Sequence, residues 1–305
     1  MELPLREEYH KNAIRLNTGR NCLEYILRAR RYQRVFIPDY ICEVILEPFR
    51  RLGISYEFYH IDKNLEIIDD ISLRADEALL YTNYFALKQR YVEKLAALYG
   101  NQLIVDNTQA FYAPPLEGID TFYTCRKFFG VSDGAYLYTD TRISTPIERD
   151  VSWSRTTHLM KRIDLSAEEG FADFQKTDSS LDNNPMRKMS KLTERLMQSV
   201  DYRISAKKRR ANYTLLHRHL KSSNRLKLPL EEGVVPMVYP YWTDDEGLRE
   251  QLIKHQVYVA CYWPNVINWT SSEHTASCLA RLLLPLPIDQ RYGITEITRI
   301  LEIIG

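Results

Sequence analysis

Over its first two-thirds the chain alternates short β-rich runs with helix-like stretches, and this rhythm limits the fold more than any single residue. Residues 34–38, 54–61, 78–82, 102–106, 121–125 and 135–139 are rich in β-branched and aromatic side chains and read as strands. Helical patterns fill 21–30, 41–52 and 92–98 between them. Strands that alternate with helices point to an α/β fold, with a mostly parallel central sheet and helices on both faces. Sheets of that kind hold ligands beyond the carboxyl ends of their strands. From 190 to 220 the pattern turns helical and basic, and Arg203, Lys207, Lys208, Arg209 and Arg210 read as the solvated face of a connecting helix. Strand-like runs at 234–239 and 257–262 and a helix at 294–304 then predict a smaller C-terminal α+β domain. The expected division is a large domain over 1–200 and a small one over 201–305.

Bulk properties remove several classes of function. Of 305 residues 45% are apolar, enough to bury a sizeable core. The net charge is +1, which gives no reason to expect a nucleic acid or a membrane surface as partner. The opening residues, Met1-Glu2-Leu3-Pro4-Leu5-Arg6-Glu7-Glu8, have no apolar core of a signal peptide. No run approaches the roughly 18–20 apolar residues of a membrane span. Cys22, Cys42, Cys125, Cys261 and Cys278 are odd in number and far apart, so a reducing, cytoplasmic setting is expected. His217 and His219 point to different helix faces, and His158 and His255 lack ligand-spaced partners, so no metal site is expected.

Three segments carry residues suited to chemistry. In Leu103-Ile104-Val105-Asp106-Asn107-Thr108-Gln109-Ala110 an apolar strand ends in an acid, which puts Asp106 at the ligand-binding edge. The same pattern also suits a capping or turn aspartate. In the run 121–135, Lys127 stands among Cys125, Phe128 and Phe129, ahead of Gly130 and the turn Asp133-Gly134. A lysine set in apolar sequence needs a partner or a task. Desolvation would lower its pKa and suit Schiff-base chemistry, while a lysine that reaches out of a loop is the other reading. In Leu16-Asn17-Thr18-Gly19-Arg20 a polar, glycine-containing turn runs into an amphipathic helix, whose free N–H groups form either an anion site or an ordinary cap. GxGxxG and GxxxxGK[ST] loops are both missing, so dinucleotide and nucleoside-triphosphate sites lack their usual support. Taken together, a phosphate cradle, an acid and a lysine on nearby strands are what pyridoxal 5'-phosphate (PLP) requires.

At these residues the sequence resembles the DegT/DnrJ/StrS sugar aminotransferase family, PLP enzymes of aspartate-aminotransferase fold type I. Thr18-Gly19-Arg20 is similar to that family's phosphate-binding helix start, and residues 35–42 to its segment of strand, proline and aromatic. Asp106-Asn107-Thr108-Gln109-Ala110 matches its aspartate and Gln-Ala motif. Thr124-Cys125-Arg126-Lys127 with Gly130 and Asp133-Gly134 resembles its lysine segment, and Leu284-Pro285-Leu286-Pro287-Ile288-Asp289 the end of its small domain. The resemblance implies that Lys127 is the Schiff-base lysine and proton shuttle, and that Asp106 pairs with the pyridine nitrogen. It implies that Gln109 and Tyr40 flank the ring and that Thr18, Gly19, Arg20 and Thr124 serve the phosphate. By its place after a strand, Tyr84 reads either as lining the pocket or as core packing. Asn184, with Asn183, would reach a neighbouring subunit, because family members are homodimers with shared active sites.

The chain departs from that pattern in places. Thr124 takes the place of an upstream serine, Ala135 that of a second glycine, and Cys42 stands where a stacking aromatic is expected. Arg155 and Lys161 could meet an anionic substrate or lie in a solvated loop. The implied activity is transfer of an amino group from a glutamate-like amino-acid donor to a nucleotide-linked keto sugar, as in polysaccharide or natural-product sugar biosynthesis. The alternative is a catalytically degenerate relative that acts as a PLP-binding or scaffold protein. A dehydratase of the same fold is disfavoured, since such relatives carry histidine where Lys127 stands.

Overall fold

The computed structural model describes residues 3–305; Met1 and Glu2, where the N-terminal reading starts, lie outside the described residues. In chain order the elements are β1 (Ile14–Leu16), α1 (Gly19–Arg30), β2 (Arg34–Pro38), α2 (Leu46–Leu52), β3 (Ser55–Tyr59), β4 (Glu77–Thr82), α3 (Gln89–Tyr99), β5 (Leu103–Asp106), β6 (Asp120–Thr124) and β7 (Ala135–Tyr138). There follow α4 (Thr157–Asp164), α5 (Phe171–Ser179), α6 (Lys191–Met197), α7 (Tyr202–Leu220), β8 (Val238–Trp242), α8 (Leu248–Lys254), α9 (Pro264–Trp269), α10 (Thr275–Leu282), β9 (Leu283–Pro287) and α11 (Ile294–Ile304). The first seven strands form one sheet in the order β1-β7-β6-β5-β4-β2-β3. Its five strands from β6 to β3 are parallel, and β7 and β1 are antiparallel additions at one edge.

Both faces of this sheet are buried, and the period-2 alternation of side chains shows it. Leu79, Tyr81, Leu103, Val105, Tyr123 and Tyr136 pack on one face, toward α3 and the C-terminal half of the chain. Ala78, Leu80, Ile104, Phe122, Ala135 and Leu137 pack on the other, under α1 and α2. Each fully buried aliphatic side chain here contributes about 1.5–3 kcal/mol through removal from water. A one-residue slip of any central strand would exchange the two faces, so the register is firmly held.

Helix α1 is fixed at both ends. Thr18 caps its start, accepting a hydrogen bond from the Asn21 amide at 3.2 Å. At its last turn Arg30 forks onto the buried Asp120 at 2.9 and 3.0 Å. Asp120 opens β6, so α1 runs back along the sheet and presents its N-terminus at the carboxyl edge.

β8 and β9 pair antiparallel as a separate two-stranded sheet; α7 packs on β8, α10 on β9, and α11 on α7 and α8. The sequence and the structure part in several places. Residues 257–262 form no strand; the chain there leads instead to α9. The helical run 190–220 is two helices broken at 198–201, where Asp201 caps α7 by accepting from the Ile204 amide at 3.0 Å. The polar stretch beyond β7 contains α4 and α5. The helix expected from 41 begins with a 3-10 turn, Glu43–Ile45.

Candidate active site

Asp106 is the last residue of β5 and Thr124 the last of β6, so both reach the carboxyl edge of the parallel strands. Beyond β6 the chain turns sharply, and Lys127 lies in that turn. Its Nζ donates to Thr108 Oγ1 at 3.0 Å. The Thr108 amide in turn donates to Asp106 Oδ1 at 2.8 Å. Acid, hydroxyl and amine thus form a short chain across the ends of two neighbouring strands.

Electrostatics couple this cluster. Burial pushes the Asp106 carboxyl above the ordinary aspartate range, and the nearby Lys127 and the Thr108 bonds work against that shift. For Lys127 the crowding of protein around the amine pulls the pKa below the usual lysine range, and the Asp106 charge opposes it. Lys127 is also open to solvent along the cleft, so water moderates the shift. An amine with a lowered pKa is a nucleophile nearer neutral pH.

The start of α1 meets the same cluster. A Cβ added at Gly19 would lie 3.1 Å from Thr108 Cγ2, so glycine lets the helix N-terminus approach this closely. The N–H groups of that first turn and the helix dipole favour an anion there. Arg20 was expected to serve the phosphate as part of this helix start. Its guanidinium is instead engaged by Glu47 at 2.5 Å and Asp182 at 3.2 Å, turned toward α2. Thr124 donates to the Gly134 carbonyl at 3.4 Å. Gly134 itself has φ +109°, and a Cβ there would stand 2.7 Å from Thr193, so the turn after Lys127 requires glycine.

Gln109 is fully buried, and its Oε1 accepts from the Phe85 amide at 2.8 Å. Its Nε2 has no hydrogen-bond partner among the described residues. An unpaired buried amide one turn from Asp106 is a donor held ready for a ligand. Phe85 and Ala86 carry φ of 58° and 67°, a left-handed conformation that costs non-glycine residues about 1 kcal/mol or more each. The Gln109 bond helps to hold that strained turn.

Among solved structures, a DegT DnrJ EryC1 StrS aminotransferase from Brucella abortus matches with TM-score 0.58 and 13% identity, over 96% of this chain and 84% of that one. NtdA from Bacillus subtilis, with bound cofactor PMP, matches at 0.66 and 14%, over 97% and 73%. GDP-4-keto-6-deoxymannose-3-dehydratase (ColD), a mutant with bound GDP-perosamine, matches at 0.67 and 15%, over 96% and 88%. This chain shares the fold of these structures. No family model matches it, and no curated protein does.

Beside Lys127, the chain's C-terminal half forms most of a cleft. This cleft of about 190 Å³ is lined by Lys127 together with Arg209, Met237, Tyr258, Tyr262 and Asp289. Arg209 was read as part of a solvated face, yet it is 1% exposed and among the largest fully buried side chains. Arg209 donates to the Phe128 carbonyl at 3.3 Å, and Gln290 to the same oxygen at 2.8 Å. Together they grip the residue next to Lys127. Burial lowers the Arg209 pKa to about 10, leaving it charged at neutral pH. Sequence reasoning missed these residues because a basic run on a helix carries no mark of which member turns inward.

The remaining candidate residues sit in several places. Tyr40 and Tyr84 are fully buried and stacked at 5.7 Å, with the Tyr84 hydroxyl donating to the Tyr40 carbonyl at 2.8 Å. The Tyr40 hydroxyl has no partner among the described residues. Asn184 lies in the segment beside α1 and α2, where its carbonyl accepts from Arg51 at 3.4 Å. The neighbouring Asn183 gives its amide to Glu47 at 3.0 Å. Arg155 is paired with the buried Asp150 at 2.7 Å, and Lys161 with Asp173 at 2.8 Å. Both basic residues therefore already have acidic partners.

Proposed function

We propose that this protein is a PLP-dependent aminotransferase that moves an amino group from a glutamate-like donor to a nucleotide-linked keto sugar. The observation that carries this reading is the Lys127–Thr108–Asp106 chain at the carboxyl edge of the sheet, set against the N-terminus of α1. The fold is shared with NtdA, which was solved with PMP, and with ColD, which was solved with a nucleotide sugar.

The residues present fit the cofactor. Gly19 leaves room beside Thr108, and the Gln109 Nε2 donor is unpaired. Thr18 and Gly19 would receive the phosphate on the α1 amides, with Thr124 near the same end of the sheet. Asp106 would keep the pyridine nitrogen protonated, and Gln109 would lie against the ring with Tyr40 and Tyr84 behind it. Lys127 is the covalent attachment point. Once bound, PLP supplies an electron sink for charge developing at the donor's α-carbon. With its pKa lowered, the Lys127 Nζ would accept the proton leaving the donor's α-carbon and later return it. Arg209 and Gln290 hold the Phe128 carbonyl and so keep the Lys127 backbone in place.

A homodimer with shared sites is part of the proposal, as is the division of the chain near residue 200 into a large and a small domain. Trp153, Ile163 and Phe171, on or next to α4 and α5, are 72%, 78% and 56% exposed, and burial against a second subunit would cover them. Asn184 is the residue we assign to reach across.

The deciding experiment is the absorption spectrum of the protein with added PLP, before and after borohydride, in the wild type and Lys127→Ala. A visible band that borohydride fixes onto the Lys127 peptide, and that an amino donor discharges, is the expected result. Absence of any band would sink the reading. A band that no donor discharges would mark a degenerate, cofactor-holding relative.

A further inference from the structure

Away from the cleft, three chemically suited side chains converge from distant parts of the chain. Asp39 follows β2, His60 follows β3, and His274 caps α10. One carboxylate oxygen and one nitrogen from each imidazole lie within 4.8 Å of one another. The two rings meet edge to face at 4.9 Å. Asp39 is 3% exposed, and its Oδ1 has no hydrogen-bond partner among the described residues. A buried, unpaired carboxylate oxygen is costly unless a cation or donor meets it.

The surroundings suit a metal. Asp69 Oδ2 lies 3.2 Å from His60 Nδ1. A carboxylate that takes the proton of one ring nitrogen orients the imidazole and leaves the lone pair on the other. Tetrahedral zinc with bonds of roughly 2.0–2.2 Å sets its ligands about 3.3 Å apart. Closing from within 4.8 Å to that value would take rotation of the His60 and His274 side chains. Two nitrogen donors and one oxygen favour zinc over magnesium or calcium, which take oxygen ligands.

We infer that Asp39, His60 and His274 form a zinc site with water as the fourth ligand, and that it fastens the α9–α10 segment to the β2–β3 edge of the sheet. The segment already packs there: Trp263 lies 4.9 Å from Tyr40, Trp269 lies 5.0 Å from Phe58, and Asn265 donates to the Ile41 carbonyl at 2.9 Å. Tyr262, next to Trp263, lines the cleft, so the zinc site steadies one wall of it. The inference does not depend on the cofactor reading, because zinc uptake can be measured whether or not Lys127 carries PLP.

The test uses the full chain stripped with a chelator and titrated with zinc alone, followed by calorimetry and by thermal melting. One zinc per chain and a raised melting temperature are expected, with no shift from magnesium at the same concentration. His274→Gln, at the cap of α10, should weaken zinc binding at least about tenfold and abolish the melting shift, and Asp39→Asn should do the same. Asp69→Asn, acting through His60, should weaken it less. No uptake at stoichiometric zinc would overturn the site. Equal overturning force belongs to undiminished uptake in His274→Gln, which would place the metal elsewhere, for instance on the five free cysteines.

Discussion

The two walls of the Lys127 cleft are built differently. On the sheet side lie two short segments, 106–109 and 124–134, with the start of α1 against them, and Lys127 is their residue that lines the cleft itself. Their side chains project from strand ends whose positions the backbone ladder fixes. The other wall draws Arg209, Met237, Tyr258, Tyr262 and Asp289 from α7, from the approach to β8, from a loop and from the chain beyond β9. Met237 is tied to the sheet side by its amide, which donates to the Phe85 carbonyl at 3.1 Å. The first wall holds groups able to make and move bonds. The second holds groups able to orient and enclose.

If that division is right, substitutions on the first wall should strike turnover and those on the second should strike geometry or affinity. The largest effect is expected from Lys127→Ala, which should cut transamination by ~10³-fold or more with melting nearly unchanged, as read by donor turnover and calorimetry. Asp106→Asn should cost on the order of 10²-fold in kcat. It should also move the pH profile of cofactor uptake in a defined sense. Uptake rises with pH as the Lys127 amine loses its proton, from a pKa already below the ordinary 10.5. The Asp106 charge raises that pKa, so removing it should shift the midpoint to lower pH, measurable by spectrophotometric titration. A shift to higher pH would break the coupling inferred between them.

Arg209→Met tests whether the second wall reaches the chemistry through position. Loss of the grip on Phe128 should lower kcat about tenfold, with donor KM within about twofold. A fall in melting temperature alone, with kcat intact, would reduce Arg209 to a structural part. Gly19→Ala should weaken PLP binding by about 1–3 kcal/mol, although alanine is the better helix former, because its Cβ presses on Thr108. Equilibrium titration with PLP reads this directly. The smallest effect belongs to Tyr258→Phe. Its hydroxyl bonds Glu168 at an exposed rim, so acceptor KM should change by no more than about threefold while kcat holds.

How legible each wall was follows from the same contrast. Asp106 stood out because it ends an apolar run and Lys127 because it stands among apolar and aromatic residues, while Gln109 was legible only through the family resemblance. Thr108 was within the motif and was passed over, since nothing in a row of polar residues says which one meets the lysine. Arg20 read as an anion ligand by its place at a helix start, and Glu47, 27 residues on, takes its charge instead. Arg209 and Gln290 gave no signal, and neither did His60 and His274, whose separation hides any ligand spacing.

What the sequence by itself determined is the alternation of strands and helices, and with it the parallel sheet and the edge where Asp106 and Lys127 stand. Those depend on periodicity and end signals spanning a few residues, which short segments express on their own. Only the tertiary structure decided the second wall, the fate of Arg20 and Arg209, and the meeting of Asp39, His60 and His274. Such contacts join side chains tens to hundreds of residues apart, and they exist only once two hydrophobic faces have been buried against each other.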